Sequence, residues 1–480
     1  MSFSLPRPAR IPTWAVLAVC CIAQFMVVLD VTIVNVALPQ MRIDLHMSVT
    51  ALQWVVNAYT LTFAGFLMLG GRAADLFGRR RIFMLGLGLF TLFSLLGGLA
   101  QSGGMLIAAR AAQGVGGAIL APATLSLITT TFAEPVARRR ALGAWSATAA
   151  SGAAVGVFSG GVLTDLLSWR WVLFVNVPIG IALLVAAGAW LTNSKAETRS
   201  PLDVPGALTV TGGLALLVYA IVGTDTRPWG SATTLLTLLG AAILLGSFAF
   251  IESRVASHPL VPLSVFRLRS LSVANGIAVT IGAGLFGLYY FLSLYLQQIN
   301  GYSPLSAGLA FLPAGVMTFF GAIVGTRIVG RLGARRQLIL GPALSGIGIV
   351  WLAQLSAGDA YFTHVFGPLV LAGIGFGFSF VPMTIAATSD VPVHQAGLAS
   401  GLINTTRQMG GAVGLAIMAT VAAGASSATA GTDRAFTITA VSLFVGAALA
   451  LLLPGAPKVD HIASGEEIAE PVVVLEASSN

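Results

Sequence analysis

Charge is scarce in this chain. Lys, Arg, Asp and Glu make up 9% of its 480 residues, against about 25% in a soluble globular protein. With 56% hydrophobic residues and a mean hydropathy of +0.90, there is too little polar surface to cover a water-soluble particle of this size. A cytosolic enzyme of ordinary kind is thereby excluded. Cysteine is nearly absent: Cys20 and Cys21 are adjacent inside an apolar run, so neither a disulfide framework nor a metal site can be built from them alone. No phosphate loop of the form GxxxxGK[ST] occurs, so ATP-driven pumping has no visible engine and transport must draw on an ion gradient or run downhill. The apolar segments hold no metal cluster and no nucleophile-base constellation, which argues against a membrane enzyme and against any cofactor beyond a coupling proton.

What the chain has instead is long apolar runs. A helix crosses the ~30 Å bilayer core with about 20 residues. Runs of that size fall at roughly 14–38, 51–70, 82–101, 105–130, 141–164, 171–191, 205–223, 232–252, 272–297, 306–330, 338–356, 364–388, 398–423 and 435–454. They predict an all-α integral membrane protein of fourteen transmembrane helices, in contact with lipid and with both termini on one side. Eighteen of the 25 Lys and Arg fall on one face, including Arg7, Arg10, Arg72, Arg79, Arg80, Arg81, Lys195, Arg199 and Lys458. Four fall on the other: Arg42, Arg170, Arg227 and Arg434. By the positive-inside rule the Arg-rich face and both termini are expected in the cytoplasm, with the chain in the cell membrane. The net charge of +8 is then a topology signal, not a nucleic-acid footprint. Arg7 and Arg10 ahead of an apolar run also look like a signal peptide, but the run continues to Leu38 with no small-residue cleavage site before Asp30 and Asn35.

The chain repeats itself. Shifted by 255 positions, Arg72, Gly78, Arg80 and Arg81 coincide with Arg327, Gly333, Arg335 and Arg336. This divides the sequence into an N-terminal segment (1–13), a six-helix bundle (14–191), two inserted helices with linkers (192–271), a second six-helix bundle (272–454) and a polar tail (455–480). Two related halves around a central cavity are a transporter plan.

Ionisable groups inside spans are the first functional candidates, because burying them in hydrocarbon costs several kcal/mol. Asp30 lies just outward of the centre of the first span. Arg110 enters the fourth from the outer end to a similar depth, so the two can pair, and a movable Arg110 would switch Asp30 between holding and releasing a proton. Asp30 is the only deep carboxylate on this reading, with Glu252 and Asp390 at or beyond helix ends, which predicts low proton stoichiometry and poor handling of dications. The loop with Gly71, Arg72, Asp75, Gly78, Arg79 and Arg80 reads as a gate latch on the Arg-rich side, with Asp75 spaced i,i+4 from Arg79. Gly152, Gly156 and Gly160 form a stripe along which another helix can pack and slide. Polar and aromatic side chains that can line a cavity are Asn35, Asn57, Gln113, Phe286, Tyr289, Tyr290, Asn404, Arg407 and Gln408.

These residues resemble the major facilitator superfamily, specifically its fourteen-helix drug:proton antiporter branch, across almost all of 14–454. The segment from Leu29 to Pro39 is similar to that branch's first-helix signature, Gly71 to Arg81 to the superfamily's loop motif, and Arg110, Gln113, Gly114 and Gly116 to its fourth-helix motif, whose arginine is implicated in proton transfer. Trp169 to Gly180 resembles the helix 5/6 junction, and Gly301 to Gly308 the helix 9/10 loop. Where the family's fifth-helix motif has a proline after the second glycine, this chain has Val157, so a straighter helix with a less certain seal against proton leak is expected.

The resemblance implies the major facilitator fold and a monomeric secondary exporter that exchanges protons for amphipathic or cationic drug-like molecules by alternating access. A second reading is a dedicated exporter of one endogenous metabolite or antibiotic. A third, a non-transporting membrane sensor, would need a soluble signalling domain, for which the tail after Leu453 is too short.

Overall fold

The computed structural model describes residues 12–132, 134–192, 202–225, 227–257, 259–391 and 396–454. Arg7, Arg10, Lys195, Arg199, Lys458 and the polar tail lie outside the described residues. The long helices are α1 (Thr13–Asp44), α2 (Val49–Phe77), α3 (Arg79–Gly98), α4 (Gly103–Thr131), α5 (Pro135–Leu166), α6 (Asn176–Trp190), α7 (Val204–Val222), α8 (Ala232–Phe250), α9 (Arg269–Leu294), α10 (Pro304–Leu352), α11 (Phe366–Thr388), α12 (Ala396–Ala423) and α13 (Ala428–Ala450). Several start where a polar side chain takes up the free N–H groups of the first turn, as Ser48, Ser102, Glu134, Asp203, Ser303 and Ser427 do. Eleven segments among the described residues are long and apolar enough to cross a membrane. α5, at 32 residues, and α12, at 28, are as long, and α12 is less apolar because of the run Asn404 to Gln408.

α1 is longer than its apolar run suggests. It continues through Pro39 to Asp44, 32 residues in all, so Asp30 sits near the helix midpoint rather than displaced toward one end. α10 is a pair of helices merged end to end, and the break is Gly333 at φ 78° and ψ 153°. Gly78, between α2 and α3, adopts φ 103° and ψ 129°. These are the two glycines that the 255-residue shift superimposes. Both use a backbone region open essentially to glycine, so the repeat in sequence is also a repeat in chain geometry.

α2 and α3 pack on α4, α1 on α5, and α6 on α3. Beyond the inserted pair, α9 packs with α12 and α13, and α10 with α11 and α13. The two groups meet through α5 and α10, α2 and α12, and more lightly α1 and α9. α7 lies along the α2–α12 junction and carries α8 on its outer side; only 11% of the apolar window of α8 is buried.

The meeting points lie toward the Arg-poor face. The Ser293 hydroxyl donates to the Asn35 carbonyl at 2.8 Å and the Gln297 amide to the Val36 carbonyl at 2.9 Å. Gly308 lies so close to α5 that an added Cβ would stand 2.9 Å from the Val157 carbonyl. Leu61 of α2 packs with Ala412 and Ala416 of α12 and with Val218 and Val222 of α7. Toward the Arg-rich face Asn404 of α12 is exposed, and Arg407 and Gln408 are half-buried.

Candidate functional site

The densest polar cluster in the hydrophobic interior is built on Asp30. α4 supplies Arg110 and Gln113, one turn apart on the same face, and glycines let α4 approach closely enough to aim them: Gly114 lies against the Tyr59 carbonyl of α2, and a Cβ on Gly116 would meet the Phe90 nitrogen of α3 at 2.6 Å. The Arg110 guanidinium donates to Asp30 Oδ2 at 2.5 Å and to Gln113 Oε1 at 2.7 Å, and its Nε to the Val55 carbonyl at 3.2 Å. Its plane rests 4.3 Å from the centre of the Tyr59 ring. Gln113 Nε2 donates to Asp30 Oδ1 at 2.8 Å, and Asn176 Nδ2 to the same oxygen at 3.0 Å. Asp30, Gln113 and Asn176 have no exposed surface, and Arg110 is 2% exposed.

Three donors therefore converge on the two oxygens of Asp30. A carboxylate only accepts, so its lone pairs are well used; a carboxylic acid would find no acceptor for its O–H in this arrangement of side chains. The ion pair is closed in this structure, and Arg110 is held by four separate groups rather than free to swing.

The glycine stripe of α5 packs directly on this stretch of α1. An added Cβ on Gly152 would stand 3.2 Å from the Phe25 carbonyl, on Gly156 2.9 Å from the Leu29 carbonyl and against the Thr32 hydroxyl, and on Gly160 2.6 Å from the Ile33 carbonyl. The stripe thus presses on both flanks of Asp30. α5 runs unbroken over its 32 residues with Val157 in place of the expected proline, and Val157, 2% exposed, faces α10 at the junction between halves.

The loop between α2 and α3 holds its own helices together. Arg79 pairs with Asp75 at 3.0 Å and donates to Ser126 of α4 at 2.6 Å; Arg80 donates to the Gly188 carbonyl of α6 at 2.5 Å. A Cβ on Gly71 would stand 3.5 Å from Pro122. Arg72 donates to the Pro259 carbonyl beyond α8 and interacts electrostatically with Glu252 and Asp203. Two carboxylates besides Asp30 are thus shielded within the protein, both at helix ends. Asp203 is 7% exposed and Glu252 4%, because a π-helical turn over Ile251–Val255 carries α8 one turn further and folds Glu252 inward. Asp203 caps the first turn of α7, accepting from Gly206 N at 2.8 Å, and Glu252 accepts from Val261 N at 3.0 Å.

The expected cavity residues divide. Asn35, Asn57 and Tyr290 are buried and do not line open space; both amide atoms of Asn57 and the Tyr290 hydroxyl have no hydrogen-bond partner. Asn57 does not join the aromatic side chains of α9 at an open pocket wall. Phe286 and Tyr289 are half-buried, Phe286 against Gly411 of α12 and Tyr289 5.4 Å from Phe311. Arg407 donates to Asn404 Oδ1 at 3.1 Å and lies 5.2 Å from the Phe380 ring, with Gln408 beside it on α12.

Asn176 belongs to the site and was passed over. It stands inside the Trp169 to Gly180 run, five residues past the start of the sixth span, which is the depth reasoning that placed Arg110; its amide was lost among apolar neighbours. The rest of that run is structural. Trp169 Nε1 and Arg170 grip Asp44 at 2.8 and 3.2 Å, and Arg170 also caps the end of α3 through the Gly98 and Ala100 carbonyls.

The sequence profile of the Major Facilitator Superfamily matches residues 20–415. The chain is 43% identical over 439 residues to the cephamycin export protein CmcT of Amycolatopsis lactamdurans, covering 91% of this chain and 90% of that one. It is 42% identical to the puromycin resistance protein pur8 of Streptomyces alboniger, covering 88% and 84%. Among solved structures, the peptide transporter POT in complex with sulfate superimposes with a TM-score of 0.67 at 15% identity over 92% of this chain and 96% of that one, a likeness of fold. The buried ion pair, the glycine-packed helices and the Arg-rich loop are thus set in a transporter, not an enzyme, and the chain belongs to the Major Facilitator Superfamily.

Proposed function

We propose that this protein is a proton-coupled exporter of amphipathic and cationic drug-like molecules, working as a monomer in the cell membrane with fourteen crossings and with both termini and the Arg-rich face in the cytoplasm. The observation that carries this is the buried Asp30–Arg110 pair, supported by the exporter and resistance relatives. Asp30 is the proton carrier and Arg110 its counter-ion. The half-buried face of Phe286, Tyr289, Arg407 and Gln408 meets cargo entering past Asn404, and the loop from Gly71 to Arg80 latches the Arg-rich side in the opposite state. On this reading the halves are joined on the outer side, toward the Arg-poor face.

Coupling follows from where α1 is held. Protonating Asp30 leaves the Arg110 guanidinium without its counter-charge, and an uncompensated buried charge costs about 3–5 kcal/mol. The cluster must loosen, and α1 moves with it. The same helix, one to two turns further on, carries the Asn35 and Val36 carbonyls gripped by α9. A proton arriving at Asp30 therefore weakens the seal on the Arg-poor side.

In everted membrane vesicles, addition of a lipophilic cation substrate should discharge an imposed pH gradient. Asp30→Asn should abolish that discharge while cargo binding survives; unchanged antiport in the variant overturns the assignment. A second reading, export of a single antibiotic, is favoured by relatives named for one compound each, cephamycin and puromycin. A compound panel decides between them: protection of a sensitive host against several unrelated cations supports the broad reading, protection against one compound the narrow one.

A further inference from the structure

Asn176 touches Asp30 with one end of its amide and leaves the other end idle. Nδ2 donates to Asp30 Oδ1 at 3.0 Å and to Ser94 Oγ at 3.0 Å. Oδ1 is buried with no hydrogen-bond partner. A buried amide oxygen left unpaired is destabilising, and its persistence at the centre of a functional cluster calls for a use.

We propose that Asn176 is a two-way positioning residue: its amide donates to Asp30 when the carboxyl is ionised and, turned about its terminal bond, accepts the O–H of Asp30 when the carboxyl is protonated. This rests on the proton-carrying role of Asp30 proposed above. The remaining groups facing Asp30 do not supply that acceptor. Arg110 has no lone pair to offer, and Gln113 Oε1 is engaged by Arg110 at 2.7 Å. Tyr59, the other titratable neighbour, lays its ring under Arg110 and points its hydroxyl toward Gly117, two turns along α4. α5 presents Gly152, Gly156 and Gly160 to this part of α1. α3 presents Ser94, whose hydroxyl proton is given to the Leu173 carbonyl at 2.8 Å.

Ser94 must follow the turn. In the present arrangement its oxygen accepts from Asn176 and its hydroxyl donates to the Leu173 carbonyl. After rotation the amide oxygen faces Asp30, where a proton has just replaced a lone pair, and also Ser94, whose hydroxyl turns from Leu173 to donate to it. In one orientation the amide gives its protons to Asp30 and Ser94, in the other it receives theirs, and the charge of Asp30 selects between the two. Because α6 carries Asn176, α1 carries Asp30 and α3 carries Ser94, the rotation exchanges a contact that joins three helices.

The test is infrared difference spectroscopy on the full-length protein in lipid, stepped between alkaline and acid buffer. The Asp30 carboxylic-acid band is identified by its loss in Asp30→Asn, and protein grown with asparagine carrying 13C at the side-chain carbonyl marks asparagine signals in the unmodified chain. An isotope-sensitive asparagine carbonyl change should appear together with the Asp30 band. In Asn176→Thr, whose hydroxyl can both donate and accept, the Asp30 band should stay near its position, whereas in Asn176→Leu it should move to the higher frequency of a carboxylic acid with a free O–H. Absence of any isotope-sensitive change in the unmodified protein overturns the proposal, and that result needs no variant to fold. Absence of an Asp30 band altogether overturns the proton-carrier reading itself, so the two failures are distinct.

Discussion

Arg110 shows why charge alone does not define the site. Its guanidinium makes three hydrogen bonds from one planar group and lies over the Tyr59 ring, a geometry that an ammonium cannot copy. Arg110→Lys should therefore lower the initial rate of proton-driven transport at least about tenfold, since loss of even one charge-assisted bond of ~1.5–3 kcal/mol is that large. Vesicle uptake rates at fixed protein level check this; a lysine variant at near full rate would reduce Arg110 to a plain counter-charge. The pairing of Asp30 with Arg110 was legible in the sequence because both residues are rare inside apolar spans and their depths match. Asn176 was not, because a lone amide at a helix start is common and only the fold shows that α6 delivers it to α1. The burial of Glu252 was not readable for a similar reason: it stands at a helix end as expected, and the π-helical turn that shields it leaves no mark in the hydrophobic pattern.

Among the elements, α5 and the α2–α3 turn each depend on glycine in a way that substitution tests. Gly156→Leu should destabilise the protein strongly, because a Cβ there already meets Leu29 and Thr32 and overpacking of a well-filled core costs about 1–3 kcal/mol. A fall of several degrees in the melting temperature of the detergent-solubilised protein is expected. Gly188→Leu, where an added Cβ meets nothing within 4 Å, should leave it nearly unchanged. Gly78→Ala and Gly333→Ala should each destabilise by a similar ~1–2 kcal/mol, since both positions hold positive φ; an effect at only one of them would contradict the equivalence of the two turns. The glycine spacing of α5 was readable in advance, but its partner was not. Spacing every four residues says that some backbone comes close, and only the packing identifies it as α1 at the level of Asp30.

For the whole molecule, the contacts that join the two groups of helices lie toward the Arg-poor face, so locking them should trap the protein. With Cys20 and Cys21 replaced by alanine, Arg42→Cys and Gln298→Cys, whose native side chains meet at 3.5 Å, should be joined by a short bifunctional thiol reagent. Transport should stop, and return when a cleavable linker is reduced; continued transport by the cross-linked protein would show that this face need not part. The two-half plan was read from the 255-residue repeat, whereas which face the halves close on was not readable, because a sequence that supports alternating access encodes both ends of the cycle. The placement of α8 has a separate consequence. With so little of it buried against protein, its neighbours are acyl chains, and at 19 residues it spans roughly 28 Å. In a thicker bilayer this hairpin must tilt less or draw lipid inward around it, so swapping short-tailed for long-tailed phospholipids should disturb α8 before it disturbs the helices that surround Asp30.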